Sequence, residues 1–211
     1  MHIVMKVYGI HFQTIDTIPG EVLRELMPGR YVRSRKYLRR EDQLRCLGAG
    51  YLLHRVLGIA ESELQYGEYG KPFVPGSTEF SLSHAGNLVV LAMDGCPVGV
   101  DIEPMNAANL DVARRVFTTD ELRWMQIDPI PRFHILWTIK ESIMKATGLG
   151  MQLDPAQFDV LPIGGPNCIH GKTWYTAWML HDGCALACAS LHPIDDIVFE
   201  EIFPEKDGLY V

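Results

Sequence analysis

The stretch FSLSHAGNLVVLAMDGCPVGVDIEP, Phe80 to Pro104, decides how the rest of the chain is read. Apolar runs flank Asp94-Gly95, a dipeptide suited to the left-handed conformations of a tight turn, so two strands are predicted around it over residues 80–103. In Val98-Gly99-Val100-Asp101-Ile102-Glu103 the side chains alternate between faces. Val98, Val100 and Ile102 point one way, Asp101 and Glu103 the other, and Pro104 ends the run. Two carboxylates on one face repel each other unless a cation or a donor neutralises them. Hard oxygen ligands of this kind suit magnesium together with phosphate and water. A solvated polar face of an edge strand has the same pattern, and both readings stand at this point.

Outward from this stretch, residues 3–12 alternate like a strand, and a polar segment ends at Met27-Pro28-Gly29. A long helix is predicted over much of residues 41–57, with Leu44, Leu47, Tyr51 and Val56 near helical spacing and Gly58 as its stop. On the C-terminal side, helical patterns cover residues 107–125 and 131–147, the second closed by Gly148. Strands follow at Thr173–Leu180 and Ala185–Ser190, joined across Asp182-Gly183. Each half thus offers a long helix and a strand pair around an Asp-Gly-Cys turn (94–96 and 182–184), the trace a duplication would leave. Helices mixed with hairpins predict an α+β fold rather than a doubly wound parallel sheet.

The 211 residues are 47% hydrophobic and 21% charged, a globular composition, and the net charge is −7. That balance argues against a protein that coats nucleic acid or adheres to anionic membrane by bulk charge. Residues 30–45 differ: seven basic side chains stand against Glu41 and Asp42, a local +5. A basic segment in an acidic chain suggests a site for a compact anion such as a phosphorylated small molecule. The opening MHIVMKVYGIHF has neither a cationic leader nor a small-residue cleavage site, and no apolar run approaches the ~20 residues that span a bilayer. The five cysteines are scattered without a C-x-x-C pair. Free thiols in a reducing cytoplasm are therefore expected, and zinc is not.

Three further segments carry chemistry. In the helix around Phe133–Ala146, Trp137, Glu141 and Lys145 share a face, while Leu136, Ile139, Ile143 and Ala146 form a core stripe. Glu141 and Lys145 also fit a surface ion pair of ~0.3–0.5 kcal/mol, and Trp137 also fits plain core packing. Ser83-His84 closes an alternating run before a small-residue turn, where a phosphate could be bound. Tyr69-Gly70-Lys71-Pro72 adds a lysine in a stiff turn.

Gly-Lys-Pro, Phe-Ser-Leu-Ser-His, Val-Gly-Val-Asp-Ile-Glu and Trp-x-x-Lys-Glu-x-x-x-Lys occur here in fixed order. In this the chain resembles the 4′-phosphopantetheinyl transferases, specifically their long monomeric Sfp-type branch, over essentially its whole length. The resemblance implies an enzyme that moves the phosphopantetheine arm of coenzyme A onto a serine of an apo acyl or peptidyl carrier protein, releasing 3′,5′-ADP. It implies two similar α+β halves, residues 1–103 and 104–211, in a pseudo-dimeric monomer with coenzyme A between them. Magnesium, or manganese in its place, would be held by Asp101, Glu103 and Glu141. Glu141 would take the serine proton, directly or through a water, and Lys145 would meet the transferring phosphate.

The same resemblance places Arg30 and Arg33 on the 3′-phosphate and Arg45 and Cys46 by the adenine and phosphate pocket. Lys71, Ser83 and His84 would line the pyrophosphate and 3′-phosphate positions, Lys140 would contact phosphate, and Trp137 would pack beneath the site. Glu121 matches a further acidic position of undefined role. Carrier docking is expected on the helical stretch 107–130, where Phe117, Leu122, Trp124 and Met125 fit either an exposed patch or the core. Two competing classes are a noncatalytic module binding coenzyme A or carrier protein, and a DNA-binding regulator using the basic segment. The intact acidic and basic set disfavours the first, and the acidic surroundings disfavour the second, so neither nucleic acid nor membrane is an expected partner.

Overall fold

The computed structural model describes residues 2–106 and 110–204. Residues 107–109, where the second expected helix begins, and the terminal residues 205–211 lie outside the described residues. The chain opens with β1 (Val4–His11), followed by α1 (Phe12–Asp16), α2 (Gly20–Leu26), α3 (Pro28–Ser34) and the long α4 (Arg40–Leu57). Short strands β2 (Gln65–Tyr66) and β3 (Pro72–Phe73) lead to β4 (Glu79–Ala85), β5 (Leu88–Asp94) and β6 (Val98–Pro104). Then come α5 (Leu110–Val116), α6 (Thr119–Met125), the long α7 (Pro129–Thr147), and β7 (Asn167–Ile169), β8 (Lys172–His181), β9 (Cys184–Ser190) and β10 (Asp196–Glu201). The single helix expected over 107–125 is two, because Thr118 caps a fresh start: its side chain accepts from Glu121 N–H while Glu121 reaches back to Thr118 N–H.

Two four-stranded sheets form, in the orders β10-β1-β5-β4 and β6-β9-β8-β7. Helix α4 covers the outer face of the first through Leu44, Leu47 and Leu52 against Ile10, Val89 and Leu91. Helix α7 covers the second through Leu136, Ile139, Ile143 and Ala146 against Ala187 and Ala189. The inner faces meet in a third cluster, with Val7, Val90 and Ala92 from one sheet and Val100, Ile102, Leu186 and Cys188 from the other. The result is an α+β fold of two pseudo-symmetric halves, each a sheet with a long helix on its outer face. Gly58 and Gly148 end α4 and α7 in the left-handed conformation.

The hairpin expected at Asp94-Gly95 is not there. Strand β5 lies inside its sheet, paired with β1 on one side and β4 on the other, so it has no free edge for β6. The chain instead crosses at residues 95–97, and β6 pairs antiparallel with β9, Asp101 opposite Ala187. The hairpin of this region is β4–β5, turning at Gly86-Asn87. The one expected at Asp182-Gly183 does form, with φ of 47° and 73° as a primed turn requires. Sheet membership also crosses the division expected after residue 103, since β6 belongs to the second sheet and β10 returns to pair parallel with β1.

Candidate functional site

The two sheets meet along their edge strands β4 and β6. Ser81 Oγ accepts from Val100 N–H at 3.1 Å, and Ser83 Oγ donates to Asp101 Oδ1 at 2.9 Å. Above that seam opens a cleft of about 650 Å³. Arg30 and Arg33 of α3, Arg45 and Cys46 of α4, and Ser83 and His84 of β4 line one side. Asp101 and Glu103 of β6 with Glu141 and Lys145 of α7 line the other.

Alternation along β6 explains half of this arrangement. Val98, Val100 and Ile102 enter the inter-sheet core, which turns Asp101 and Glu103 toward the cleft. Gly99 explains why α7 lies so close: a Cβ there would fall 1.8 Å from the carbonyl oxygen of Ser142 and 2.6 Å from the amide of Ala146. Only a residue without a side chain lets the helix approach, and the approach brings Lys145 across the strand. Its ammonium donates to Asp101 Oδ1 at 2.6 Å and to Ser83 Oγ at 2.8 Å. The surface-pair alternative for Lys145 is thereby replaced by an ion pair with strand β6. Asp101 is only 3% exposed, so its side of the strand is not a solvated polar face.

The carboxylates crowd one another. Burial and then the Asp101 charge push Glu103 up to about 7, against the opposing indole hydrogen bond from Trp137. Glu141 is raised for the same two reasons, with Lys145 opposing. Asp101 Oδ2 is buried with no hydrogen-bond partner. A buried orphan oxygen beside two carboxyls whose pKa values are raised by burial and by the Asp101 charge is a set that a divalent cation would relieve, so these residues fit a hard metal ion. Among the described residues, the trio whose ligand atoms all lie within 4.8 Å of one another is a different one, Asp94, Cys96 and His192. Asp101, Glu103 and Glu141 are not drawn to that spacing, and Lys145 holds Asp101 Oδ1 in their midst.

On the opposite wall Glu61 gathers the two arginines of α3, with Arg30 Nε at 2.5 Å and Arg33 Nη1 at 3.1 Å. Nothing in the sequence points to Glu61, which lies 28 residues beyond Arg33 and belongs to no motif. Arg45 pairs with Asp42 one turn back on α4. His84 titrates below the ordinary imidazole value through partial desolvation, then through Arg45 and Lys145. Trp137, expected only to pack, both packs on the α7 core and hydrogen-bonds Glu103.

Two expected residues are elsewhere. Lys140 does not line the cleft: it is fully buried, ion-paired with Glu121 at 2.9 Å and donating to the carbonyls of Pro155 and Phe158 at 2.7 and 2.5 Å. On helix α7 it is one position from Glu141, about 100° around the axis, which turns it into the core. Lys71 lies in an adjoining hollow of about 230 Å³, where its ammonium donates to the carbonyls of Val98 and Ala146 and burial lowers its pKa. Phe117 and Met125 are core residues, with Leu122 and Trp124 packed partly buried against them.

Residues 97–189 match the model of the 4′-phosphopantetheinyl transferase superfamily. The 4′-phosphopantetheinyl transferase ffp of Bacillus subtilis is 30% identical over 174 residues, covering 74% of this chain and 76% of its own. The chain belongs to the 4′-phosphopantetheinyl transferase superfamily. Its similarity to the 4′-phosphopantetheinyl transferase Sfp of Bacillus subtilis strain 168 extends further, 28% identity over 210 residues and 90% of this chain. The gsp transferase of Aneurinibacillus migulanus is 35% identical over 128 residues, about half of each chain. The superfamily match begins at Pro97, so it includes the strand and helix that carry Asp101, Glu103, Glu141 and Lys145. Membership places the chain in an enzyme family. No helix among the described residues is long and apolar enough to cross a membrane.

Proposed function

We propose that this chain is a 4′-phosphopantetheinyl transferase of the long, two-halved Sfp-type branch. It transfers the phosphopantetheine arm of coenzyme A to a serine of an apo acyl or peptidyl carrier protein in the cytoplasm and acts as a pseudo-dimeric monomer. The observation that carries this reading is the cleft itself. Four cationic or imidazole groups on one wall face three carboxylates and a lysine on the other, which suits a polyanion lying across the seam.

On this reading Arg30 and Arg33 hold the 3′-phosphate, with Glu61 fixing both guanidinium groups, and Arg45 and His84 complete that wall. Asp101, Glu103 and Glu141 would hold magnesium or manganese, which when bound neutralises the pyrophosphate and the charge gathering on the departing phosphate. Glu141 takes the proton from the carrier serine, and its raised pKa brings it nearer the range in which a carboxylate is an effective base. The serine oxygen bonds to the phosphorus that bears the pantetheine arm, and the bond from that phosphorus to the 3′,5′-ADP oxygen breaks. Lys145, now on Asp101, steadies the phosphate oxygens from the α7 side.

Incubation with coenzyme A, magnesium and an apo carrier should add one phosphopantetheine mass to the carrier, read by intact-protein mass spectrometry. An unchanged mass across several unrelated apo carriers would overturn the reading.

A further inference from the structure

Away from the cleft, where β5 crosses to β6, three unlike donor atoms stand in a nearly equilateral triangle. Cys96 Sγ lies 3.6 Å from Asp94 Oδ2 and 3.6 Å from His192 Nδ1, and those two lie 3.5 Å from each other. A tetrahedral zinc ion with bonds of about 2.0–2.3 Å has ligand-to-ligand edges of about 3.3–3.6 Å. The triangle therefore has the dimensions of one face of a zinc tetrahedron before any ion is added. We infer that Asp94, Cys96 and His192 form a metal site, for a borderline-soft divalent ion of the zinc type. The inference does not depend on the transferase reading.

The donor set supports this choice of ion. Thiolate, imidazole and a single carboxylate suit zinc, whereas magnesium prefers oxygen throughout. Ser190 supplies the support that metal ligands usually have: its hydroxyl hydrogen-bonds Asp94 Oδ2, stands 3.2 Å from Cys96 Sγ, and accepts from His192 N–H at 3.3 Å. His192 is exposed, which leaves the fourth position open to water. Position in the fold suggests the effect. Asp94 ends β5 of the first sheet, while Ser190 ends β9 of the second and His192 follows it. A bound ion would clip the two sheets together at this end. The residues lie 2 and 96 positions apart, which is why cysteine spacing alone gave no sign of zinc.

The test uses the full chain, stripped of metal with chelator and titrated with zinc, then with cobalt as a spectroscopic substitute. One ion per chain is expected in the presence of excess magnesium, and the cobalt form should show thiolate charge-transfer and intense tetrahedral bands. Cys96→Ser and His192→Gln should each weaken binding by about 100-fold or more, above the usual loss from a supporting group. Cys168→Ser should change nothing. Zinc should also slow iodoacetamide alkylation of Cys96 in the unaltered chain, a readout that needs no variant to fold. Absence of the charge-transfer band, its survival in Cys96→Ser, or equal alkylation with and without zinc would each overturn the inference.

Discussion

Lys145 Nζ lies 2.6 Å from Asp101 Oδ1, while Asp101 Oδ2, in the same buried carboxylate, has no hydrogen-bond partner. One oxygen is neutralised from the helix, and the other is the one that the proposed metal would take. Asp101→Ala should therefore remove divalent-metal binding in the cleft and lower kcat/KM by at least about 100-fold, the usual cost of losing one preorganised electrostatic contact. Magnesium titration of the variant's activity checks this. Full activity without divalent metal would refute the role.

The approach of α7 to β6 depends on Gly99. Gly99→Ala places a methyl group against the backbone of Ser142 and Ala146, neither of which can yield as a flexible side chain would. Destabilisation of about 1–3 kcal/mol or more is expected, as for other overpacked sites, seen as a lower urea midpoint. Residual activity should fall as well, because the helix bearing Glu141 and Lys145 must retreat from Asp101.

These two residues show what the sequence makes legible. Alternation along residues 98–103 separates core from cleft correctly because a strand's period depends on nothing outside it. The stripe Leu136, Ile139, Ile143 and Ala146 likewise identifies the buried face of α7. The partner of β6 was hidden, since Asp94-Gly95 is a good turn signal and only the occupied edges of β5 forbid the hairpin. Membership of a motif points Lys140 toward phosphate, yet its spacing of four from Leu136 and three from Ile143 already sets it on the core stripe, where a charge is expected only if it meets a partner that the sequence does not reveal. Glu61, held to Arg30 and Arg33 only by tertiary structure, left no local trace.

Arg30 and Arg33 share one carboxylate and stand on the wall proposed for the 3′-phosphate. Arg33→Ala should raise KM for coenzyme A by about 10-fold or more, in keeping with loss of a charge-assisted contact worth about 1.5–3 kcal/mol. The same variant should leave KM for dephospho-coenzyme A nearly unchanged. Equal losses for the two substrates would detach this wall from the 3′-phosphate.

His84 provides a pH signature. Its folded pKa lies below the ordinary 6.5, so as pH falls below that value the unfolded chain binds the proton first. The contribution of His84 to stability is therefore lost on acidification through the window between 6.5 and the lower folded value. A phosphate bound beside Arg45 and Lys145 offsets the two charges that help depress the imidazole, so its pKa rises and a proton is taken up. Calorimetric titration of coenzyme A in buffers of different ionisation enthalpy should show that uptake near neutral pH. His84→Gln should abolish it, and an unchanged proton count in that variant would assign the uptake elsewhere.

Lys140 is set apart from the chemistry of its neighbour Glu141 by its own hydrogen bonds. An ammonium has three hydrogens, and Glu121, Pro155 and Phe158 take all three of those on Lys140. None remains for a phosphate. Glu121 is committed as well, accepting from Thr118 N–H at 2.8 Å and Val160 N–H at 2.9 Å, so the pair ties the start of α6 to α7 and to the segment 155–160. Lys140→Met should leave that carboxylate buried without its counter-charge and cost about 3–5 kcal/mol. Adding Glu121→Gln should restore part of the loss, because the single amide oxygen still accepts from one of the two backbone N–H groups and no charge is buried. Under conditions where the double variant is folded, its KM for coenzyme A should match that of the unaltered chain. A selective rise in that KM, with stability restored, would return Lys140 to the substrate.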